Sequence, residues 1–528
     1  MQDNGYDPEA TKEHIPRDSN TDASLALRRS VSRKDDMLTH VRSRQPVPPF
    51  SHPLAHQRTT AQDIVDFDGK DDPYHPLNWA FKKKVVTTAL YGFTTMGATF
   101  ASSVYSPGIR QISEEFHVSA EVSTLGLALL LAGFGLGPLL WAPLSEVYGR
   151  KLAVLTPYFL AAIFSFATAV AKDFQTVMIT RFFAGFFGSA PVTNTGGVLG
   201  DMFSADQRGL AIVGYAMAVV GGPTLGPIVG GAIVQNSTWR WTEYTTGILM
   251  LFMLTLDLIL LDESYPPVLL VRKARKLRHE TGNWALHAHH EEWVVGISIK
   301  DMAHKFLVRP IQVLFTPIGF CVALYASFVY GIVYMLLGAI PIIFQEGRGW
   351  NYVVGSLPFL AVLVGIFFGA GINILNQRYY ISRYHAAGDH AVPEARLPPM
   401  MIGSVFFAVG IFIVGWTGDQ NFPWIAPCIG LTCMGLGFFV IFQAALNYLI
   451  DTFSVYAASA VAANTFLRSC FASAFPLVVA PMYHNLGIAW ASSLWGFIAV
   501  ALIPIPFLFY VFGRRIRARG RYSKASVY

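Results

Sequence analysis

A chain of 528 residues that is 53% hydrophobic and only 14% charged carries too much apolar surface for an ordinary soluble protein. Its formal charge of +6 does not argue for nucleic acid, because the basic residues gather in alternate loops, as the positive-inside rule would place them. The four cysteines, Cys321, Cys428, Cys433 and Cys470, fall inside apolar stretches and read as small buried side chains, which excludes a disulfide framework.

Residues 1–71 are rich in Arg, Asp, Ser and Pro and poor in aromatics, which predicts a disordered cytosolic tail with no cleavable signal. Ser32, three residues after Arg29, is a candidate phosphorylation site within it. Residues 72–84 end this N-terminal region (1–84) with the interfacial Trp79 and a lysine triplet, which anchor the first span. Twelve windows of about twenty apolar residues follow, each long enough to cross a bilayer as a helix. They are 85–105, 122–144, 152–171, 177–199, 210–234, 242–261, 314–340, 353–375, 399–416, 424–448, 457–482 and 487–512. A basic loop over 263–310 divides two halves of six spans, 85–262 and 311–512, and a basic tail closes the chain over 513–528. Arg150, Lys151, Arg208, Arg272, Lys273, Arg275, Arg378, Arg383, Arg396 and the arginines from Arg514 to Arg521 all follow even-numbered spans. This predicts that both termini are cytosolic.

Span 1 carries Tyr91, Thr95, Ser102 and Tyr105 at helical spacing, a semi-polar face of no use against lipid and expected to line a cavity or another helix. Span 2 runs into A-P-L-S-E-V-Y-G-R-K (142–151), with an acid, a turn glycine and two bases at the inner mouth. Span 4 ends at the same mouth with Asp201. Glu146, Arg150 and Asp201, with Gly149 and Lys151, are therefore expected to form a charged latch between the ends of spans 2 and 4. Arg181 lies a turn into span 4 from the outside, either snorkelling or facing inward with Gly185, Gly188 and Thr195 on its side. Asp257, a turn from the end of span 6, leaves the same two options open.

Span 5 holds G-G-P-T-L-G-P-I-V-G-G (221–231). In a soluble helix each Gly would cost about 1 kcal/mol and each Pro about 3 kcal/mol, whereas membrane helices use both for close packing and bending. Gly222, Gly226 and Gly230 make a bare face, with Pro223, Pro227 and Gly231 beside it. Such a bent helix is expected to serve as a hinge between two moving bundles. Asn236 opens a glycosylation sequon in a loop too short to clear the membrane, so it is expected to stay unoccupied. His287, His289 and His290 lack partners at metal-ligand spacing, so they read as solvated and no metal is expected.

In the second half, Gly365-x-x-x-Gly369 echoes Gly133-x-x-x-Gly137, a weak internal repeat of the kind secondary transporters carry. Ser327, Tyr330 and Tyr334 stripe span 7, while Phe439, Gln443 and Asn447 stripe span 10. Arg468 lies deep in span 11 with Asn464 one turn before it, too far in to snorkel. Together these draw an aromatic, amphipathic cavity nearly free of acids, with Arg468 near Gln443 and Asn447. There is no G-x-x-x-x-G-K-[ST] phosphate loop for ATP, and no G-x-S-x-G or H-E-x-x-H for hydrolysis.

From about residue 72 to 522 the chain resembles the major facilitator superfamily, specifically the twelve-spanner drug:proton antiporters of fungi, a branch that includes multidrug, polyamine and toxin exporters. The resemblance rests on D-P-Y-H-P-L-N-W before span 1, A-P-L-S-E-V-Y-G-R-K after span 2 and R-F-F-A-G in span 4. It extends to G-P-T-L-G-P-I-V-G-G in span 5, W-R-W before span 6, P-E-A-R-L (393–397) and N-T-F-L-R-S (464–469). It implies an all-α integral membrane fold of twelve helices in two pseudo-symmetric six-helix bundles. It makes Glu146, Gly149, Arg150 and Lys151 a gating loop with Asp201 as partner, and Arg181 the arginine linked to proton coupling. The glycines and prolines of span 5 match the antiporter signature. Ala142 and Val213 depart from the family pattern where glycines are usual, and span 1 lacks the central acid of bacterial relatives.

The expectation is a proton-coupled exporter of small amphipathic organic compounds, not an enzyme, with Arg181 and Asp257 in proton coupling. Its substrate cavity is drawn by Tyr91, Thr95, Ser102, Ser327, Tyr330, Tyr334, Gln443, Asn447, Asn464 and Arg468. The alternatives are a polyamine:proton antiporter and a non-transporting membrane sensor on the same fold. Expected partners are the bilayer, the substrate and protons, with no cofactor or nucleic acid, in a monomer of the plasma membrane or, alternatively, the vacuolar membrane.

Overall fold

The structure is a computed structural model and describes residues 63–69, 71–296, 304–388, 390–520 and 522–526. Arg29, Ser32 and Arg521 lie outside these residues. The first half comprises α1 (Phe81–Ser103), α2 (Ala120–Leu136, continued by Pro138–Tyr148), α3 (Arg150–Ala169), α4 (Phe174–Met202), α5 (Ala205–Asn236) and α6 (Arg240–Leu260). The second begins with α7 (Pro317–Pro341), α8 (Phe359–Ala386), α9 (Leu397–Thr417) and α10 (Ile425–Phe453). Its last two spans are joined almost without a loop. The run from Ala457 reverses at Gly487, where φ is 73° and only glycine sits without strain, so α11 covers 457–486 and α12 covers 488–519. The Phe475 and Trp495 rings, 4.7 Å apart, close this hairpin.

Nine helical stretches among the described residues are long and apolar enough to cross a membrane, and the last of them, Ala457–Arg519, contains both α11 and α12. The remaining two spans, α1 and α4, are less apolar because threonines, serines and glycines recur along α1, and Arg181, Asn194, hydroxyls and glycines along α4. Side-chain caps start several helices where the sequence offers them, as where Asp173 accepts from Thr176 N at the head of α4 (2.8 Å).

Each half packs the same way: α1 on α5 and α2 on α4 in the first, α7 on α11 and α8 on α10 in the second. The repeated glycines explain one of these crossings. A Cβ on Gly133 would meet Phe186 N of α4 at 2.6 Å, and one on Gly365 would meet Leu436 N of α10 at 2.7 Å. Both pairs of helices approach nearly backbone to backbone. The halves meet where α2 lies on α11 and α5 lies on α8.

Three expectations need correction. The glycine face of α5 does not lie between the halves; Gly226 and Gly230 press on α1, where added Cβ atoms would meet Val104 N at 2.9 Å and Pro107 Cγ at 3.2 Å. Only Gly231 touches the other half, at Tyr352 and Ser356. The bare face is needed because hydroxyl-rich α1 comes so close. Secondly, residues 63–69 and 71–84 are ordered, not part of a disordered tail. Val65 packs with Ala274, Leu277, Leu286 and Ala288, and Asp72 accepts from the backbone of Asp68 and Tyr74 and pairs with Lys273 (3.2 Å). Hydrogen bonds hold the Asp72 carboxyl below its usual range against the opposing effect of burial. Thirdly, His287 is buried, with its ring against Glu292 (2.9 Å) and Ala285 O (2.8 Å), so it is not solvated.

Candidate functional site

On the face where α1 begins, which also carries the basic loops, Arg150 reaches Asp201 at the end of α4 (Nε–Oδ2 3.1 Å) and stands over the Tyr265 ring. Glu263, just after α6, accepts from the backbone N–H of Arg150 (2.8 Å) and Lys151 (3.2 Å). Gly149 precedes them with φ 96°, and a Cβ there would lie 2.8 Å from the Glu263 carboxyl carbon. Only glycine fits the turn and the carboxylate together. The expected latch therefore needs one exchange. Glu146 turns away to Lys305 (2.7 Å), and Glu263 takes its place. Lys151 ties to Leu261 O (2.6 Å). Glu263 was readable only as an acid closing span 6, with no spacing to link it to the 149–151 turn.

The second half builds the same corner. Arg396, in the turn between α8 and α9, meets Asp451 at the end of α10 (3.0 Å) and lies 3.2 Å from the Tyr380 ring centroid. Its Nη1 also donates to Gln377 Oε1 (2.8 Å), and Gln377 covers Gly209 of α5, in the other bundle. Arg517, near the end of α12, holds both carboxylate oxygens of Glu394 (2.6 and 2.8 Å). Glu394 and Arg396 lie inside the P-E-A-R-L signature, but nothing in sequence names their partners.

Arg181 does not snorkel. It is wholly buried, with Nη1 donating to Glu243 Oε1 (2.9 Å) and to Ala101 O (2.9 Å), Nε to Gly126 O (3.2 Å), and Cζ 4.4 Å from the Tyr105 ring centroid. Glu243, equally buried in the first turn of α6, lies inside the 242–261 window, where an acid is itself a signal. Asp257 is buried too, accepting from Thr94 Oγ1 (2.5 Å). The semi-polar stripe of α1 thus passes three environments. Tyr91 lies off the cavity, near Asp257, Asp201 and Glu263 at the latch. Thr95 lies near the middle of α1, and Ser102 and Tyr105 at its far end, beside Tyr334 and the Arg181 pair.

Polar groups join the two bundles. Ser102 of α1 hydrogen-bonds Tyr334 of α7 (2.9 Å), and Ser473 of α11 donates to Ala128 O of α2 (2.8 Å). Arg468 is 6% exposed, with Cζ 4.6 Å from the Tyr330 ring centroid and 5.1 Å from that of Phe442. It forms no ion pair among the described residues, and Gln443, expected as its partner, makes no hydrogen bond to it. The Arg468 Nε, both amide atoms of Gln443, Asn464 Oδ1 and Ser327 Oγ are all buried without a protein partner. Asn447 is half-buried one turn further along α10. A cavity of about 10 Å³, bordered by Thr99, Ser189, Thr193, Tyr330 and Arg468, has room for about one water. On the basic-loop side a larger cleft of about 690 Å³ opens between α1, α5 and α8, with Tyr215 and Leu210 in its wall and Gln377 and Arg378 at its rim. Such a site can grip a flat, amphipathic molecule by ring contacts and a few hydrogen bonds.

The Major Facilitator Superfamily profile matches residues 91–476. The chain is 51% identical over 469 residues to the efflux pump bik6 of Gibberella fujikuroi, covering 88% of this chain and 96% of that protein. It is 41% identical over 517 residues to the major facilitator superfamily multidrug transporter FLU1 of Candida albicans, covering 96% and 84%. Among solved structures, the proton:xylose symporter XylE of E. coli aligns with a TM-score of 0.57 at 15% identity, over 82% of this chain and 96% of that one. At that identity the likeness speaks for the fold alone.

Proposed function

The chain belongs to the major facilitator superfamily, and we propose that it exports small amphipathic organic compounds in exchange for protons, by alternating access of its two bundles. The observation that carries this reading is Arg468, whose guanidinium lies over the adjacent, stacked Tyr330 and Phe442 rings beside polar atoms that find no partner in the protein. Groups left so in a membrane interior cost several kcal/mol each, and an organic substrate is what would repay them. The names of the relatives, an efflux pump and a multidrug transporter, support export as the direction. A proton gradient is the fitting energy source, since the sequence carries no phosphate-binding loop and the first bundle buries Arg181, Glu243 and Asp257.

In this reading the cleft between α1, α5 and α8 admits substrate from the cytosolic side. The latches at Arg150 and Arg396 brace the turns that must hold while the bundles rock. The charge of the basic loops supports a cytosolic position for that face and both termini, and export as the direction fits the plasma membrane. A polyamine fits less well, because the acids buried within the first bundle, Glu243 and Asp257, are already engaged by Arg181 and Thr94. The test is efflux of a panel of neutral, anionic and cationic aromatic compounds from cells, with and without a protonophore. Gradient-dependent efflux of some panel members is expected; export of none, or export indifferent to the gradient, would sink the reading.

A further inference from the structure

The Arg181–Glu243 pair is an odd way to brace a bundle. Both side chains are completely buried, yet Glu243 Oε2 and Arg181 Nη2 have no hydrogen-bond partner. A purely structural ion pair in so dry a place would be expected to satisfy every polar atom, since each one left over is costly. Arg181 Nη1 is also shared between Glu243 Oε1 and Ala101 O, at 2.9 Å each. Ala101 is followed directly by Ser102, whose hydroxyl meets Tyr334 of the other bundle. One guanidinium thus links an acid on α6 to the point on α1 that touches the second bundle.

We propose that Glu243 is the residue that carries the transported proton. This rests on the proton-coupled reading above and names its carrier. The step is simple: the Glu243 carboxylate takes up one proton at its unpartnered Oε2, and Arg181 stays a guanidinium. No other covalent bond changes, and the charge of the pair goes from zero to +1. Once neutral, Glu243 loses its charge-assisted hold on Arg181, which is left to the carbonyls of Ala101 and Gly126. The end of α1 is then held differently, and with it the Ser102–Tyr334 contact between bundles. Release of the proton restores the pair.

The groups facing Glu243 are Arg181 from α4 and the Tyr105 ring beyond the end of α1. The flanking helices α3 and α5 place Arg150, Lys151 and Arg208 at the other end of the bundle, beside the basic loops. Asp257, the rival carrier, accepts a neutral hydroxyl from Thr94. Protonating it would release no cation and move nothing between the bundles.

Two measurements decide the matter. Infrared difference spectra of the full-length protein need no substrate. Lowering the pH should raise the carbonyl stretch of a buried carboxylic acid in the wild type, and Glu243→Gln should remove that band. A band unchanged in Glu243→Gln, or removed by Asp257→Asn instead, overturns the proposal. Should Glu243→Gln fail to reach the membrane, Glu243→Asp keeps the titrating group and must shift the band; a band left in place is equally fatal.

In proteoliposomes with rhodamine 6G as the probe, accumulation driven by a pH gradient should fall by about tenfold or more in Glu243→Gln. The transport that remains in Glu243→Gln should no longer respond to the pH gradient, whereas wild-type transport should rise with it. Loss of all transport in Glu243→Gln together with a lowered melting temperature would mean a structural pair, against the proposal. Wild-type transport indifferent to the gradient would instead refute the coupling reading, whereas gradient-driven transport surviving in Glu243→Gln would refute Glu243 alone.

Discussion

In the first bundle, Arg150 of the α2–α3 turn takes Asp201 at the end of α4; in the second, Arg396 of the α8–α9 turn takes Asp451 at the end of α10. The last helix of each bundle completes the corner with the charges exchanged: Glu263 accepts from the backbone of the first turn, and Arg517 donates to Glu394 in the second. Away from that face the likeness ends. The first bundle buries the Arg181–Glu243 pair, and the second buries Arg468 among aromatic rings with no acid paired to it among the described residues. The frame repeats because both bundles face one packing problem. What differs is the buried charge, and on the function proposed above proton chemistry belongs to one half and the organic ligand to the other.

The strongest test of this division is Arg468→Ala, which should nearly abolish transport while leaving the protein in the membrane. Arg468→Lys keeps the charge but loses the planar fork and ring stacking, and should be impaired rather than inactive. Full efflux by the alanine variant would erase the distinction between the halves.

Next in size is Gly226→Leu, which forces a side chain into α1 at Val104 N and Ser103. Overpacking of this kind costs about 1–3 kcal/mol or more. The counterpart contact of α7 with α11 is made differently, by the Phe475 ring on Gly331, so this damage should be confined to the first bundle. The variant should show a lowered melting temperature in detergent and little transport; wild-type values for both would mean the α1–α5 contact is loose.

The corners offer a finer comparison. Their ion pairs are alike in burial, with side chains 13% and 16% exposed in the first and 10% and 8% in the second. Arg150→Ala and Arg396→Ala should therefore each lower transport by about threefold to tenfold at near-normal expression. A large effect from one and none from the other would show that the repeat is one of shape only. The smallest effect belongs to Glu146→Gln. Its pairing with Lys305 is partly exposed and worth no more than about 1 kcal/mol, so efflux should stay within about twofold of wild type. A severe loss would return Glu146 to the latch.

Much of this was legible in the chain. Length, apolar windows and loop charge were enough for twelve membrane helices in two halves, because a bilayer forces each span to satisfy its own backbone and so leaves a local record. Arg181, Arg150, Asp201 and Arg468 could be singled out for the same local reason: a charge in or beside hydrocarbon is conspicuous wherever it points. Their partners could not. Glu243 lies 62 residues from Arg181, and Glu263 lies 113 from Arg150, and no periodicity connects residues on separate helices. Tertiary packing alone decided that the glycine face of α5 meets α1, that Glu146 leaves the latch, and that Tyr91 belongs with the acids rather than the cavity. Helix formation follows from nearest neighbours in sequence, whereas the company a side chain keeps depends on how whole helices are rotated and stacked, which is settled only when all of them pack at once.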